Sequence, residues 1–178
     1  MDAGAVAVAA LWLALAIDAC FGEPPARLHP VVWMGHWLGW AGRRVAPQAA
    51  TADTPRFKPF VAGTLAWCAG AAMVLIAALA LEAVAQRLPW WLAWALVGLA
   101  LKPLLAWRML RSEVLAVEAA LGESLCAGRA RLARLVSRDV SVLTEVEVRE
   151  SAIESLAENL NDSVVAPVFW FVLFGLPG

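Results

Sequence analysis

The chain has 178 residues, of which 62% are hydrophobic and 16% charged, with a mean hydropathy of +0.71. A soluble domain carries roughly 25% charged residues, so this composition excludes an ordinary water-soluble protein and predicts an integral membrane protein. The formal net charge of −1 hides an uneven layout, with bases collected in residues 27–58 and 108–138 and acids after them, a pattern that leaves no nucleic-acid footprint.

Residues 3–21 carry no charge before Asp18, and that length suits a spanning helix. A cleaved signal peptide is the rival reading, but it wants a positively charged start and this one offers only Asp2. Pro24 and Pro25 then stop the helix, and Pro30 can open another in its first turn. Residues 31–45 place Trp33, Trp37 and Trp40 on one face, which predicts a helix lying in the membrane interface. Asp18, Glu23 and His29 surround the intervening turn, where capping polar groups explain them cheaply; His36 reads as interfacial. Residues 46–58, with Pro47, Asp53 and Pro55, read as a loop.

Residues 59–81 are 23 consecutive uncharged residues and predict the clearest span. Residues 88–107 predict another, with Lys102 near its exit, where the side chain can snorkel to the headgroups. Lys and Arg number five between the first and second spans, one between the second and third, and seven after the third. The positive-inside rule puts the amino terminus outside and the segment after residue 107 in the cytoplasm. Residues 108–160 are expected to be helical, with interruptions near Gly122 and Gly128. The basic group Arg129, Arg131 and Arg134 suits either anionic headgroups or a phosphorylated or carboxylated substrate. The cysteines Cys20, Cys68 and Cys126 are too scattered for a disulfide framework or a metal spacing. No grouping of serine, cysteine and histidine supports nucleophilic hydrolysis. A transporter should carry charges inside its spans, and Lys102 is a poor example.

Residues 139–162 hold seven acids against one base, Arg149. Thr144 with Glu147 is a capping box that predicts a helix from about Glu145 to Asn159. On a helical wheel Glu147, Glu150, Glu154, Glu158 and Asp162 fall within about a third of the circumference. Val146, Ile153, Leu156, Ala157 and Leu160 fill the neighbouring arc. A solvated charged face is the plain explanation. Against it, like charges four residues apart cost roughly 0.2–0.5 kcal/mol per pair. Oxygen ligands at a membrane surface suit Mg²⁺ bridging to phosphate. The apolar run that follows, 163–176, is interrupted by Pro167 and too short to span alone, which suggests a partial or re-entrant helix. The fold class expected is therefore all-α, a polytopic membrane protein with cytoplasmic and interfacial helices.

Four stretches carry a family resemblance: D-x3-G-E-P-P-x3-H-P-V-x2-M-G from Asp18 to Gly35, S-R-D-x-S-x-L from Ser137 to Leu143, A-I-E-S-L-A-E-N-x2-D-x-V-V-A-P-x-F-W from Ala152 to Trp170, and the final G-L-P-G. In this order they resemble adenosylcobinamide-phosphate synthase, an integral-membrane enzyme of cobalamin biosynthesis. The resemblance implies ATP- and Mg²⁺-dependent ligation of the adenosylcobyric acid carboxylate to the amine of aminopropanol or its phosphate, in a bacterial cytoplasmic membrane. For that chemistry Asp139, Glu154, Glu158 and Asn159 are the candidate catalytic residues. Asp18, Glu23, His29, Arg138 and Ser155 would contact substrate, and Glu154, Glu158 and Asp162 would hold Mg²⁺. Partners would be the corrinoid and amino-alcohol substrates, membrane lipid, and a second copy or other membrane proteins of the pathway, with no nucleic acid. Members of that family continue past Gly-Leu-Pro-Gly, so the chain reads as an amino-terminal part. The alternative is a non-catalytic sensor or accessory module whose acidic helix is a docking surface.

Overall fold

The structure is a computed structural model that describes residues 3–46 and 57–178. The stretch 47–56, with most of the expected loop and Arg56 of the basic count, lies outside the described residues, as do Met1 and Asp2. The described chain is all-α, with 82% of the molecule helical and no strand. Its α-helices are α1 (Ala3–Phe21), α2 (Pro30–Val45), α3 (Phe57–Ala85), α4 (Trp90–Leu101), α5 (Trp107–Glu123), α6 (Leu125–Leu132), α7 (Glu145–Leu160) and α8 (Ala166–Phe174). Among the described residues, three helical segments are long and apolar enough to cross a membrane: Gly4–Phe21, Phe57–Ala85, and Trp90–Glu123 taken as one run.

The apolar helices pack through small residues. Ala10 and Ala14 of α1 are fully buried against Ala93, Val97 and Leu101 of α4, with Leu105 and Phe171 completing the cluster. At Gly98 the two helices come so close that a Cβ would lie 2.9 Å from the Ala10 carbonyl oxygen. Such approach gives dispersion contact where lipid offers no hydrophobic drive to association. In contrast α3 leaves most of its surface exposed. It rests on α2 through Trp37, whose Nε1–H donates to the Ala66 carbonyl at 3.1 Å beside Gly70.

A second core joins α5, α6 and α7 through Val117, Leu121, Leu132, Val140, Val148 and Ala152. The break between α5 and α6 falls at Ser124, which is extended and caps α6 by accepting from the Ala127 amide. Gly128, one of the expected interruptions, lies inside α6, where a Cβ would collide with the Leu121 side chain. The Thr144–Glu147 capping box is present at the start of α7.

Two helix breaks face each other. The run 88–107 is not one straight helix: α4 ends at Leu101, a 3₁₀ turn covers Lys102–Leu104, and α5 restarts at Trp107. After α7 the backbone widens into a π turn, Asn161–Val165, with Pro167 in the first turn of the helix that follows. Proline has no N–H for the carbonyl four residues back, so the Ser163 carbonyl is released from the helix ladder. It accepts the Ala106 amide at 3.1 Å, tying one break to the other.

Candidate functional site

Asp18 is the most buried polar side chain among the described residues, 1% exposed, in the last turn of α1. A carboxylate there opposes the negative end of the helix dipole, and a buried charge survives only when paired. Two donors meet it: Lys102 Nζ on Oδ1 and the Arg108 amide on Oδ2, each at 3.0 Å. The residue preceding α5, Ala106, has no capping side chain. Asp18 thus satisfies an orphan amide in the first turn of α5, although it is 90 residues away in sequence. Arg108 returns the favour at the end of α1, where its Nη1 donates to the Ala19 and Cys20 carbonyls. Gly22, at φ 70°, ends that helix with its amide on the Asp18 carbonyl, the left-handed cap glycine permits.

Lys102 corrects the sequence reading. It does not snorkel outward; it is 5% exposed and turned inward, donating also to the Leu105 carbonyl at 3.2 Å. The 3₁₀ turn opened by Pro103 aims it back at α1. Its Nζ stands 3.7 Å from Glu23 Oε1, and Glu23 Oε2 lies 2.7 Å from His29 Nε2. Glu23 Oε1 and His29 Nδ1 are buried with no hydrogen-bond partner. The row Asp18, Lys102, Glu23, His29 ends at a cavity of about 640 Å³, within the range of small-molecule sites. Glu23, His29, Asp162 and Ser163 line it beside Val31, Leu101, Pro103, Met109, Trp170 and Phe171, so the walls are mainly apolar.

The acidic face of α7 is assembled differently. Of the carboxylates expected to act together, Asp162 alone lines the cavity. Glu154 is bound by Arg138 Nη2 at 2.7 Å, and the same guanidinium donates to Ser151 Oγ at 2.7 Å. Asp139 Oδ1 accepts the Ser141 amide at 2.9 Å, which, with the Ser141 hydroxyl, holds its carboxyl below the ordinary value of 3.8. Glu147 closes the capping box, and the Thr144 amide and hydroxyl hold it below the ordinary 4.5. Glu145 meets Arg149 at 2.7 Å. Asn159 Nδ2 bonds back to the Ser155 carbonyl at 2.8 Å and to its hydroxyl at 3.3 Å. Glu150 and Glu158 are exposed.

Among the described residues no three His, Cys, Asp or Glu side chains form a group that could hold a metal ion. Glu154, Glu158 and Asp162 form no such group among the described residues. The basic group is divided as well: Arg129 Nε donates to the Leu143 carbonyl at 2.7 Å and Arg131 pairs with Glu113 at 2.7 Å. Of the residues singled out in the sequence, the structure brings Asp18, Glu23, His29 and Asp162 to one place. Asp139, Arg138, Glu154, Ser155, Glu158 and Asn159 lie apart from it, along α7 and the turn before it.

Sequence reading missed Lys102, the Arg108 amide and the Ser163 carbonyl. One signal was available: Asp18 and Lys102 are lone charges of opposite sign at the ends of apolar runs, and intramembrane charges pair with one another.

These features define an α-helical membrane protein with a buried ion-pair row opening into an apolar cavity at a pair of broken helices. The chain belongs to the CobD/Cbib protein family, whose model matches residues 11–178. It is 40% identical over 166 residues to a probable cobalamin biosynthesis protein CobD of Thermococcus kodakarensis, covering 93% of this chain and 52% of that protein. It is 36% identical over 178 residues to a cobalamin biosynthesis protein CobD of Sinorhizobium sp, covering 94% and 52%. The corresponding protein of Methanothermobacter thermautotrophicus is 34% identical, at 96% and 52%. The chain thus spans about half the length of the curated relatives it matches. No solved structure matches it.

Proposed function

We propose that the chain serves cobalamin biosynthesis as part of an ATP-dependent amide ligase, which joins the free carboxylate of adenosylcobyric acid to the amine of aminopropanol or its phosphate. The observation that carries this reading is the cavity at the helix breaks, largely apolar and lined by Glu23 and His29, whose Oε1 and Nδ1 lack hydrogen-bond partners. A small amphipathic molecule with a polar head suits it. The names of the relatives, and the motif blocks around Glu23, His29 and Asp162, supply the pathway.

A carboxylate resists attack by an amine until one of its oxygens becomes a leaving group. Phosphoryl transfer from ATP supplies that, giving an acyl phosphate and ADP, and such transfer is mostly positioning and charge neutralisation. Mg²⁺ enters this scheme with the nucleotide substrate. Exposed carboxylates such as Glu154 and Glu158 are of a kind that meets it one or two at a time. In the orientation that the positive-inside rule predicts, the cavity opens on the cytoplasmic side, where ATP is.

The test is direct. Membranes bearing the gene product that contains this chain are supplied with adenosylcobyric acid, Mg-ATP and either aminopropanol or its phosphate. Mass spectrometry should find the amide product and stoichiometric ADP. Absence of product with both amines, in membranes where the protein is folded, would overturn the reading.

A further inference from the structure

We propose that Glu23 and His29 form the receptor for a primary amine, with Glu23 Oε1 and His29 Nδ1 holding its ammonium group and His29 Nδ1 taking one proton from it. The pair lines the cavity, and its two inner atoms are joined by the 2.7 Å contact between Oε2 and Nε2. Its two remaining atoms are buried and without a hydrogen-bond partner. Leaving a buried polar atom unsatisfied costs roughly 1–3 kcal/mol, which a ligand supplying the missing donors would remove.

The tautomer follows from the contact. A carboxylate only accepts, so Nε2 carries a hydrogen, and in the neutral imidazole Nδ1 then presents a lone pair. Both open atoms are then acceptors, complementary to the three N–H donors of an ammonium group and to neither a carboxylate nor a phosphate. The charged groups facing the pair are Lys102, 3.7 Å from Glu23 Oε1, with Asp18 behind it, and Asp162 on the same cavity wall. Lys102 gives its hydrogen bonds to Asp18 and the Leu105 carbonyl and meets Glu23 Oε1 only as an ion pair at 3.7 Å, so the hydrogen-bonding capacity of that oxygen is unused.

The chemistry of this step rests on the ligase reading. An ammonium nitrogen has no lone pair, so one proton must leave before attack, and it passes to His29 Nδ1, whose imidazolium faces the Glu23 carboxylate. The freed nitrogen forms the C–N bond to the acyl carbon of an acyl phosphate. The C–O bond to phosphate breaks with its electron pair on the departing oxygen, and the second nitrogen proton leaves with that phosphate. Turnover returns the His29 proton to solvent.

Two measurements test the assignment on the full gene product in detergent. In the first, calorimetry without ATP compares 1-aminopropan-2-ol with propane-1,2-diol, which differs only in the amine. The aminopropanol should bind at least about tenfold more tightly, and Glu23→Gln should erase that difference. Equal binding of the two probes, or an unchanged difference in Glu23→Gln, overturns the receptor. In the second, the ligation rate of His29→Gln is followed against pH. Loss of a general base predicts a fall of about 10²-fold or more near pH 7 that narrows as pH approaches the free amine's own pKa. A loss uniform in pH means that His29 merely braces the turn, and overturns the proton transfer. Wild-type protein that binds aminopropanol but forms no amide refutes the ligase and its proton-transfer step while leaving the amine receptor standing.

Discussion

The row from Asp18 to His29 and the carboxylate face of α7 are both built from acids, yet they handle charge in opposite ways. Asp18 is 1% exposed and Lys102 5%, and each is held by groups from other helices. In the exposed pair between α7 and the turn before it, Arg138 and Glu154 keep 51% and 70% of their side-chain surface in solvent. Burial raises the stakes of every partner, because an uncompensated charge in low dielectric costs far more than one in water. The same chemistry therefore acts as a structural clasp at one end of the spans and as a solvated, adaptable face on the helix beyond.

The largest effect that can break this contrast is at Lys102. Lys102→Met leaves Asp18 buried without its cation and should destabilise the protein by about 3–5 kcal/mol, the typical cost of breaking a buried pair from one side. The double variant Asp18→Asn with Lys102→Met removes both charges and should regain most of that loss, as read by thermal unfolding in detergent. Equal stability of Lys102→Met and wild type would mean that the row is not a clasp. Next comes the α1–α4 contact that holds the row in place. At Gly98 a Cβ would approach both the Ala10 carbonyl oxygen and Leu13 Cδ2 to 2.9 Å. Gly98→Val should cost about 1–3 kcal/mol through overpacking. Gly122 has open space around it, so Gly122→Ala in α5 should stabilise by about 0.5–1 kcal/mol.

The two regions were also legible to different degrees. The α7 capping box follows from four consecutive residues, because a cap is a local bargain between a side chain and its own helix. The all-α class follows from apolar run lengths alone. The cavity does not, because it depends on Pro103 and Pro167 breaking two helices that are far apart in sequence but adjacent in space. Helical-wheel spacing put Asp162 with Glu154 and Glu158. The π turn that begins at Asn161 alters the register after α7, and Asp162 lines the cavity instead. Composition made Lys102 look dispensable for a similar reason: its partner lies 84 residues away.

On the exposed face the effects are smaller, and they sharpen the contrast. Thr144→Ala removes the cap of α7 and should cost about 1 kcal/mol. Glu154→Gln opens an exposed pair worth less than about 1 kcal/mol, so unfolding should barely change. If Glu154 meets the magnesium of ATP, the same variant should raise the Mg-ATP requirement of ligation, and an unchanged requirement removes Glu154 from nucleotide binding.

Acid titration gives the finest test. Asp139 and Glu147 both have carboxyls held below their ordinary values by hydrogen bonds to Ser141 and Thr144. Their folded forms therefore bind protons less readily than the unfolded chain, and stability from them is fully present above the ordinary values of 3.8 and 4.5. It is lost as pH falls through the depressed folded values. Unfolding of the α5–α7 unit followed between pH 7 and 5 should be flat on account of these two groups and should weaken only below about 4.5. In Thr144→Ala, with the hydroxyl gone, the contribution of Glu147 to that acid limb should shrink while that of Asp139 persists. An acid limb identical in Thr144→Ala and wild type would show that the Thr144 hydroxyl contributes nothing to the depressed pKa of Glu147.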